Sequence, residues 1–308
     1  MALLLEESRS LKSQLPITSA AILVHSTVSY LARQSGIRVL SIKGPFAATY
    51  LLREPKVSAD ADILVDPQKF EEMCQVLSQR GWRTRVAREA PRFLDAHSTT
   101  LIHERWPCDI DLHHFFPGFF ETPARVFEAL WAGRRVHFTR QGEVAAPSPA
   151  GMAAILALHA ARTPDCARSI SDLASVSSAL TLRFDDLGRR ELLMIAEKGR
   201  AQWVLRDLME TAGFSPGVDD ATSSEKAIWT NNQQPASYKS ASLWLNQLRV
   251  APLSRKSAAL FHAVWVKRAD IPRNDVTTIP TWGETLTFQR SRWVRGIVSL
   301  VRYLRRQR

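Results

Sequence analysis

Asp60-Ala61-Asp62 sets two carboxylates two residues apart at the head of an apolar run, Ile63-Leu64-Val65. Along an extended strand alternate side chains share a face, so Asp60 and Asp62 project together while Ala61 and Ile63 point the other way. Two like charges held that close need a cation. Hard divalent ions such as magnesium or manganese take oxygen ligands, commonly one or two carboxylates plus substrate phosphates, which is the requirement of metal-dependent phosphoryl transfer. Such a pair also occurs on solvated strand ends. A second acidic strand, Cys108-Asp109-Ile110-Asp111-Leu112-His113, puts Asp109, Asp111 and His113 on one face by the same alternation. Either carboxylate offers a third ligand, and His113 can orient a ligand, act as a base or simply hydrogen-bond Asp111. Upstream, Lys43-Gly44 stands between a strand and a helix start, where glycine permits close backbone approach and unsatisfied N–H groups can hold phosphate.

These residues need a sheet to hold them. Ala20, Leu23, Val24, Val28 and Leu31 recur at three- and four-residue spacing and predict an amphipathic helix ending near Gly36. Strands are expected at 38–42 and 61–65, with a short helix from Pro45 to Leu52 between them. A helix from Pro67, capped by Asp66, runs to Gln79 and ends at Gly81. Further strands are expected at 82–86, 98–103 and 108–113, and a helix at 124–131. Pro147-Ser148-Pro149 marks a boundary, because Ser148 can cap a helix opening on Pro149 and running to about Arg162. Helical patterns then continue to Ala212.

Strand, glycine turn, helix, carboxylate-pair strand and later carboxylate strand is the order of the nucleotidyltransferase superfamily first described in polymerase beta. Ile42-Lys43-Gly44, then Asp60-Ala61-Asp62-Ile63-Leu64-Val65, then Ile110-Asp111-Leu112-His113 resemble the uncharacterised bacterial nucleotidyltransferases. In that family a Leu-Lys-Gly segment replaces the usual Gly-Ser, an Asp-Ile-Asp strand gives two metal ligands, and a later Asp-Leu-His gives the third. The resemblance covers most of residues 15–308, with its strongest motifs between Ile42 and His114. It implies an α+β fold, a polymerase-beta-like mixed-sheet domain followed by a helical domain.

It also implies Asp60, Asp62 and Asp111 as catalytic metal ligands for magnesium or manganese, with Asp109 and His113 as accessories. Lys43 and Gly44 would position the triphosphate of an NTP. Lys56 stands where an arginine is common, and lacks the planar fork that grips phosphate in two places. His159 and the helix containing Ser171-Asp172-Leu173 match the family's helical part. The implied reaction moves NMP from an NTP to an acceptor and releases pyrophosphate. The acceptor is a small molecule, sugar, peptide or protein, with nucleic acid as an alternative.

The expected organisation is an N-terminal helical segment at 1–35, the catalytic domain at 36–147 and a helical domain at 148–213. A linker or long loop at 214–240 and a C-terminal helical region at 241–308 complete it. With 45% hydrophobic and 23% charged residues, the 308-residue chain is not wholly disordered. Its 41 Lys and Arg against 30 Asp and Glu give a charge of +11 that favours anionic partners. No apolar run approaches the roughly 18 residues that span a bilayer, and Leu3 to Leu5 is too short for a signal peptide, so a cytoplasmic protein is expected. Cys74, Cys108 and Cys166 show neither a disulfide nor a zinc spacing, and are expected as small core residues.

The C-terminal helix carries seven arginines and no acid after Glu284, with Val294, Ile297, Val298, Val301 and Leu304 on one stripe. That stripe is expected to pack on the protein with its arginines in water. Contact with a membrane surface or nucleic acid is the alternative. Two further readings use the same charge: a non-catalytic polyanion-binding protein on this fold, and a peripheral membrane or assembly factor anchored by the terminal helix.

Overall fold

The apolar spacing in the first helical stretch is realised as α1, Ile17–Gln34, which buries Ala20, Ala21, Val24, Val28, Leu31 and Ala32 along one side. A computed structural model of the chain describes residues 15–85, 97–215, 217–233, 256, 261, 264–268, 271 and 280–306. The elements after α1 follow the expected order with shifts at their ends: β1 (Val39–Ser41), α2 (Gly44–Thr49), β2 (Asp60–Val65), a 3-10 turn (Pro67–Lys69) and α3 (Phe70–Ser78). Next come β3 (Arg83–Thr84), β4 (Ser98–Ile102), β5 (Asp109–His113), α4 (Pro123–Ala132), β6 (Arg135–Thr139) and β7 (Gly142–Ala146). The expected strand at 82–86 is shorter than its pattern, and Val86 lies outside the described residues.

Five strands form one mixed sheet in the order β1-β2-β5-β4-β3. β2 and β5 run parallel, while the β1–β2, β4–β5 and β3–β4 pairs are antiparallel. Alternation along β2 divides its side chains between two cores. Ala61, Ile63 and Val65 join Ile110 and Leu112 in a cluster with Val24, Val28 and Leu31 of α1 and Met73 and Leu77 of α3. Burying each Val or Leu there contributes about 1.5–3 kcal/mol. Leu64 points the other way, into a cluster built largely on the helices.

Those helices are α5 (Pro149–Ala161), α6 (Ala167–Arg183), α7 (Asp186–Lys198) and α8 (Gln202–Thr211). Ser148 caps α5 as expected, accepting from the Gly151 amide at 3.1 Å. α5 is buried almost all round, including Ala150, Met152, Ala153, Ile155, Leu156, Ala157 and Leu158. A helix apolar on every side must be enclosed, and α5 shares its core with Leu40, Ile42 and Leu64 of the sheet region. The described residues from 15 to 84 and from 97 to 222 accordingly form one unit, with the sheet and these helices together.

Three expectations are corrected. The stretch 214–240 contains a helix, α9 (Ser223–Asn232), which its Ser- and Asn-rich composition conceals. Cys166 is exposed, whereas Cys108 is buried and Cys74 is partly so. The terminal helix, α10 (Trp282–Arg306), exposes Val294, Ile297, Val298 and Val301 and buries Thr285, Gln289, Arg292 and Ser299, so the apolar stripe is not the packed side. α9 and α10 belong to a second unit. Most of the helical pattern expected at 241–268 lies outside the described residues. Among those described, no helix is long and apolar enough to cross a membrane.

Candidate active site

The parallel register sets Asp62 opposite Asp111 and Asp60 opposite Asp109. Paired residues of neighbouring strands share a face, so two separate acidic motifs become one patch. One ligand atom each from Asp62, Asp111 and His113 lies within 4.8 Å of the others. His113, expected as an accessory, is inside this group. Asp60 adjoins it, near enough to Asp62 and Asp111 to feel both charges. Asp109 lies two register pairs further along, opposite Asp60.

Each carboxylate is steered by a neighbour. Thr100 Oγ1 on β4 donates to Asp111 Oδ1 at 2.6 Å, and Ser58 Oγ donates to Asp60 Oδ1 at 3.1 Å. Asp62 Oδ1 accepts from Lys43 Nζ at 2.6 Å and lies 3.0 Å from His113 Nε2. Burial alone would raise the Asp62 carboxyl, but the Lys43 charge and the His113 hydrogen bond and charge outweigh it and hold the group well below the usual carboxylate range. Asp60 goes the opposite way, raised first by burial and then by the charges of Asp62 and Asp111.

Lys43 reaches Asp62 through the turn after β1. The Ile42 amide donates to the Asp62 carbonyl at 3.0 Å, and the chain then turns through two left-handed residues, Lys43 at φ 57° and Gly44 at φ 50°. The first is unusual for a residue with a Cβ. At the second a Cβ would come within 3.2 Å of His25 Nε2, so Gly44 answers both a backbone and a packing demand. The Lys43 amide is directed to Met152 Sδ at 3.1 Å. α2 is only six residues long. An anion bound here would meet chiefly side-chain cations.

Such cations are present. Arg53 and Lys56 come from the loop after α2, Arg162 follows α5, and Arg168 lies in the first turn of α6. Arg53 is only 8% exposed, and its Nε has no hydrogen-bond partner. Burial pushes the Arg53 guanidinium down from its usual range, Asp172 opposes this, and Arg168 adds repulsion. Lys56 Nζ donates to both Asp172 oxygens, at 3.2 and 3.3 Å. Burial also lowers Arg162, whose Nη1 lies 3.3 Å from His97 Nε2. The His97 ring in turn lies 5.6 Å from that of His113.

This cationic wall adjoins the carboxylates. Arg53 feels the charges of Asp60 and Asp62, and His159 feels those of Lys43, Asp62, Arg162 and Arg168. Burial, with Lys43 adding, pushes the His159 imidazole down to about 3, and its buried Nδ1 has no partner. Arg53, Arg162 and Arg168 carry no local sequence signal, because segments about a hundred residues apart supply them. A surface hollow of about 650 Å³ lined by Gln68, Glu121, Arg125, Glu128 and Lys198 contains none of these groups.

Two carboxylates and an imidazole at this spacing suit a divalent cation, the oxygens fitting magnesium or manganese and the nitrogen fitting manganese better. A mixed sheet that pairs two acidic strands beside a basic wall is a nucleotidyltransferase arrangement. Residues 19–213 match the model of an uncharacterised nucleotidyltransferase family. The match spans more than half of the chain, and the chain belongs to that family. No curated protein matches it.

Proposed function

We propose that the chain transfers a nucleoside monophosphate from an NTP to a hydroxyl acceptor and releases pyrophosphate, in a reaction dependent on magnesium or manganese. The observation that carries this reading is the in-register meeting of Asp62, Asp111 and His113. Those three, with Asp60 adjoining, would hold the divalent ion, which when bound neutralises phosphate charge and makes an acceptor hydroxyl easier to deprotonate.

The remaining work belongs to the chain. Arg53, Lys56 and Arg168 bind the triphosphate, because like charges gathered around a paired aspartate, Asp172, favour an added anion, and Arg162, which with Arg168 bears on His159, adds to them. Lys43 balances Asp62 before substrate arrives. Thr100 orients Asp111 toward the acceptor proton. The acceptor oxygen forms its bond to the α-phosphorus as the bond to the pyrophosphate oxygen breaks, and the proton leaves through the carboxylates. The acceptor is a small molecule, sugar, peptide or protein.

Incubation with each α-labelled NTP, magnesium or manganese, and a panel of hydroxyl acceptors tests this. Label should enter one acceptor class with equimolar pyrophosphate, and Asp62→Asn should abolish it. A non-catalytic anion-binding protein would retain NTP and release no pyrophosphate under any condition, and that result would replace the present reading.

A further inference from the structure

α10 presents its sides in reverse for a helix packed in water. Thr285 and Gln289 are fully buried and Ser299 nearly so, while Ile297 is 63% exposed and Leu286 and Val294 are each 57% exposed. At about 100° per residue the buried polar positions fall within an arc of about 80°. Leu286, Val294, Ile297, Val298 and Val301 fall within an arc of about 120° on the other side, with the exposed Arg290 and Arg305 among them and Trp293 at its edge. The polar side is committed inside its own unit: Gln289 Nε2 donates to the Val266 carbonyl at 2.7 Å and Thr285 Oγ1 to the Thr281 carbonyl at 2.8 Å. Turning the helix over would break the first of these bonds.

The exposed stripe has a particular charge setting. After Glu284 the charged residues are all arginines, and Arg290, Arg295 and Arg305 are exposed. Trp282, also exposed, is a side chain suited to the boundary between lipid headgroups and acyl chains, with the Arg268 guanidinium 4.6 Å from its ring, whereas the Trp293 indole donates to the Val264 carbonyl at 2.7 Å. A second copy of this helix would bring the same six arginines against the first, which opposes self-association. Nucleic acid would answer the arginines but leave the valines and Ile297 in water. An anionic bilayer answers both.

We propose that α10 is a surface anchor that lies in the plane of an anionic membrane, its Leu286–Val301 stripe in the acyl boundary and its arginines at the phosphates. About 37 Å of helix is available for this contact. The anchor is independent of the transferase reading.

The test is flotation of the full-length protein with phosphatidylcholine vesicles, with and without about one-third phosphatidylglycerol. Binding is expected to the anionic vesicles only, and to weaken as salt rises. Ile297→Asp with Val298→Asp should reduce it at least tenfold with melting temperature unchanged, since both sites are exposed. Combined Arg290→Gln, Arg295→Gln and Arg305→Gln should reduce it and flatten its salt dependence. Absence of wild-type flotation would overturn the proposal, as would undiminished binding by both variants. Dimers that the Asp pair dissolves, or duplex DNA binding without vesicle binding, would each assign the stripe to another partner and overturn it as well.

Discussion

The Lys43 ammonium lies 2.6 Å from Asp62 Oδ1, and both side chains are about nine-tenths buried. Lys43 thus occupies the electrostatic place of a cation beside a candidate metal ligand. Removing one partner of a buried pair costs about 3–5 kcal/mol, because the other charge is left uncompensated. Lys43→Met should therefore lower the melting temperature of metal-free protein and regain much of it with manganese. It should also bind manganese more tightly than wild type in a calorimetric titration. Weaker manganese binding would show that Lys43 assists the ion rather than competing with it.

Asp60 and Asp62 should part company in stability while agreeing in activity. Asp60 is crowded by burial and by two carboxylates, so Asp60→Asn should leave the melting temperature unchanged or slightly higher. Asp62→Asn strands Lys43 and should cost about 3–5 kcal/mol by chemical denaturation. Both should abolish transfer. Equal stability losses would contradict the assigned environments.

Arg53 offers a trade between stability and binding. Its buried guanidinium has an unpartnered Nε and a repelling neighbour, Arg168. Arg53→Gln should leave stability intact or improved, yet raise KM for the nucleotide about tenfold, equivalent to about 1.4 kcal/mol. Loss of kcat at unchanged KM would place Arg53 outside the phosphate wall.

His25 supplies a pH test through a buried imidazole that also feels the Asp62 charge. Burial lowers its imidazole to about 4 against an ordinary 6.5, with Nδ1 2.9 Å from Ser41 Oγ. As pH falls below about 6.5 the unfolded chain takes this proton first, so stability present above that pH drains away down to about pH 4. The full loss is about 3 kcal/mol. Denaturant melts at pH 7 and pH 4.5 should show a larger drop for wild type than for His25→Gln. Equal drops would show that His25 is not the group responsible.

The chemistry of the first site was legible because it is local. Alternation alone put Asp60 with Asp62 and Asp109 with Asp111, and the Lys43-Gly44 turn lay where a strand met a helix. Joining the two acidic strands needed the parallel β2–β5 register, a tertiary fact that no spacing within one motif contains. The same register drew His113 into the cluster. Arg53, Arg162 and Arg168 escaped notice because only packing of the α5–α6 turn brings them beside the loop after α2. α9 was hidden by helix-poor residues such as Thr230, Asn231 and Asn232. For α10, periodicity revealed a stripe but not which side faces out, since an amphipathic pattern is the same whether its apolar edge is covered or offered.

The most direct test of the central claim compares Asp111→Asn with Asp109→Asn in single-turnover transfer from an α-labelled NTP. Asp111 meets Asp62 and accepts from Thr100, whereas Asp109 pairs with Asp60 outside the three-residue group. The account predicts a loss of at least about a thousandfold for Asp111→Asn, of the size seen when a transition-state stabiliser is removed, and less than about tenfold for Asp109→Asn. The reverse ranking, or full transfer by Asp111→Asn, would contradict it.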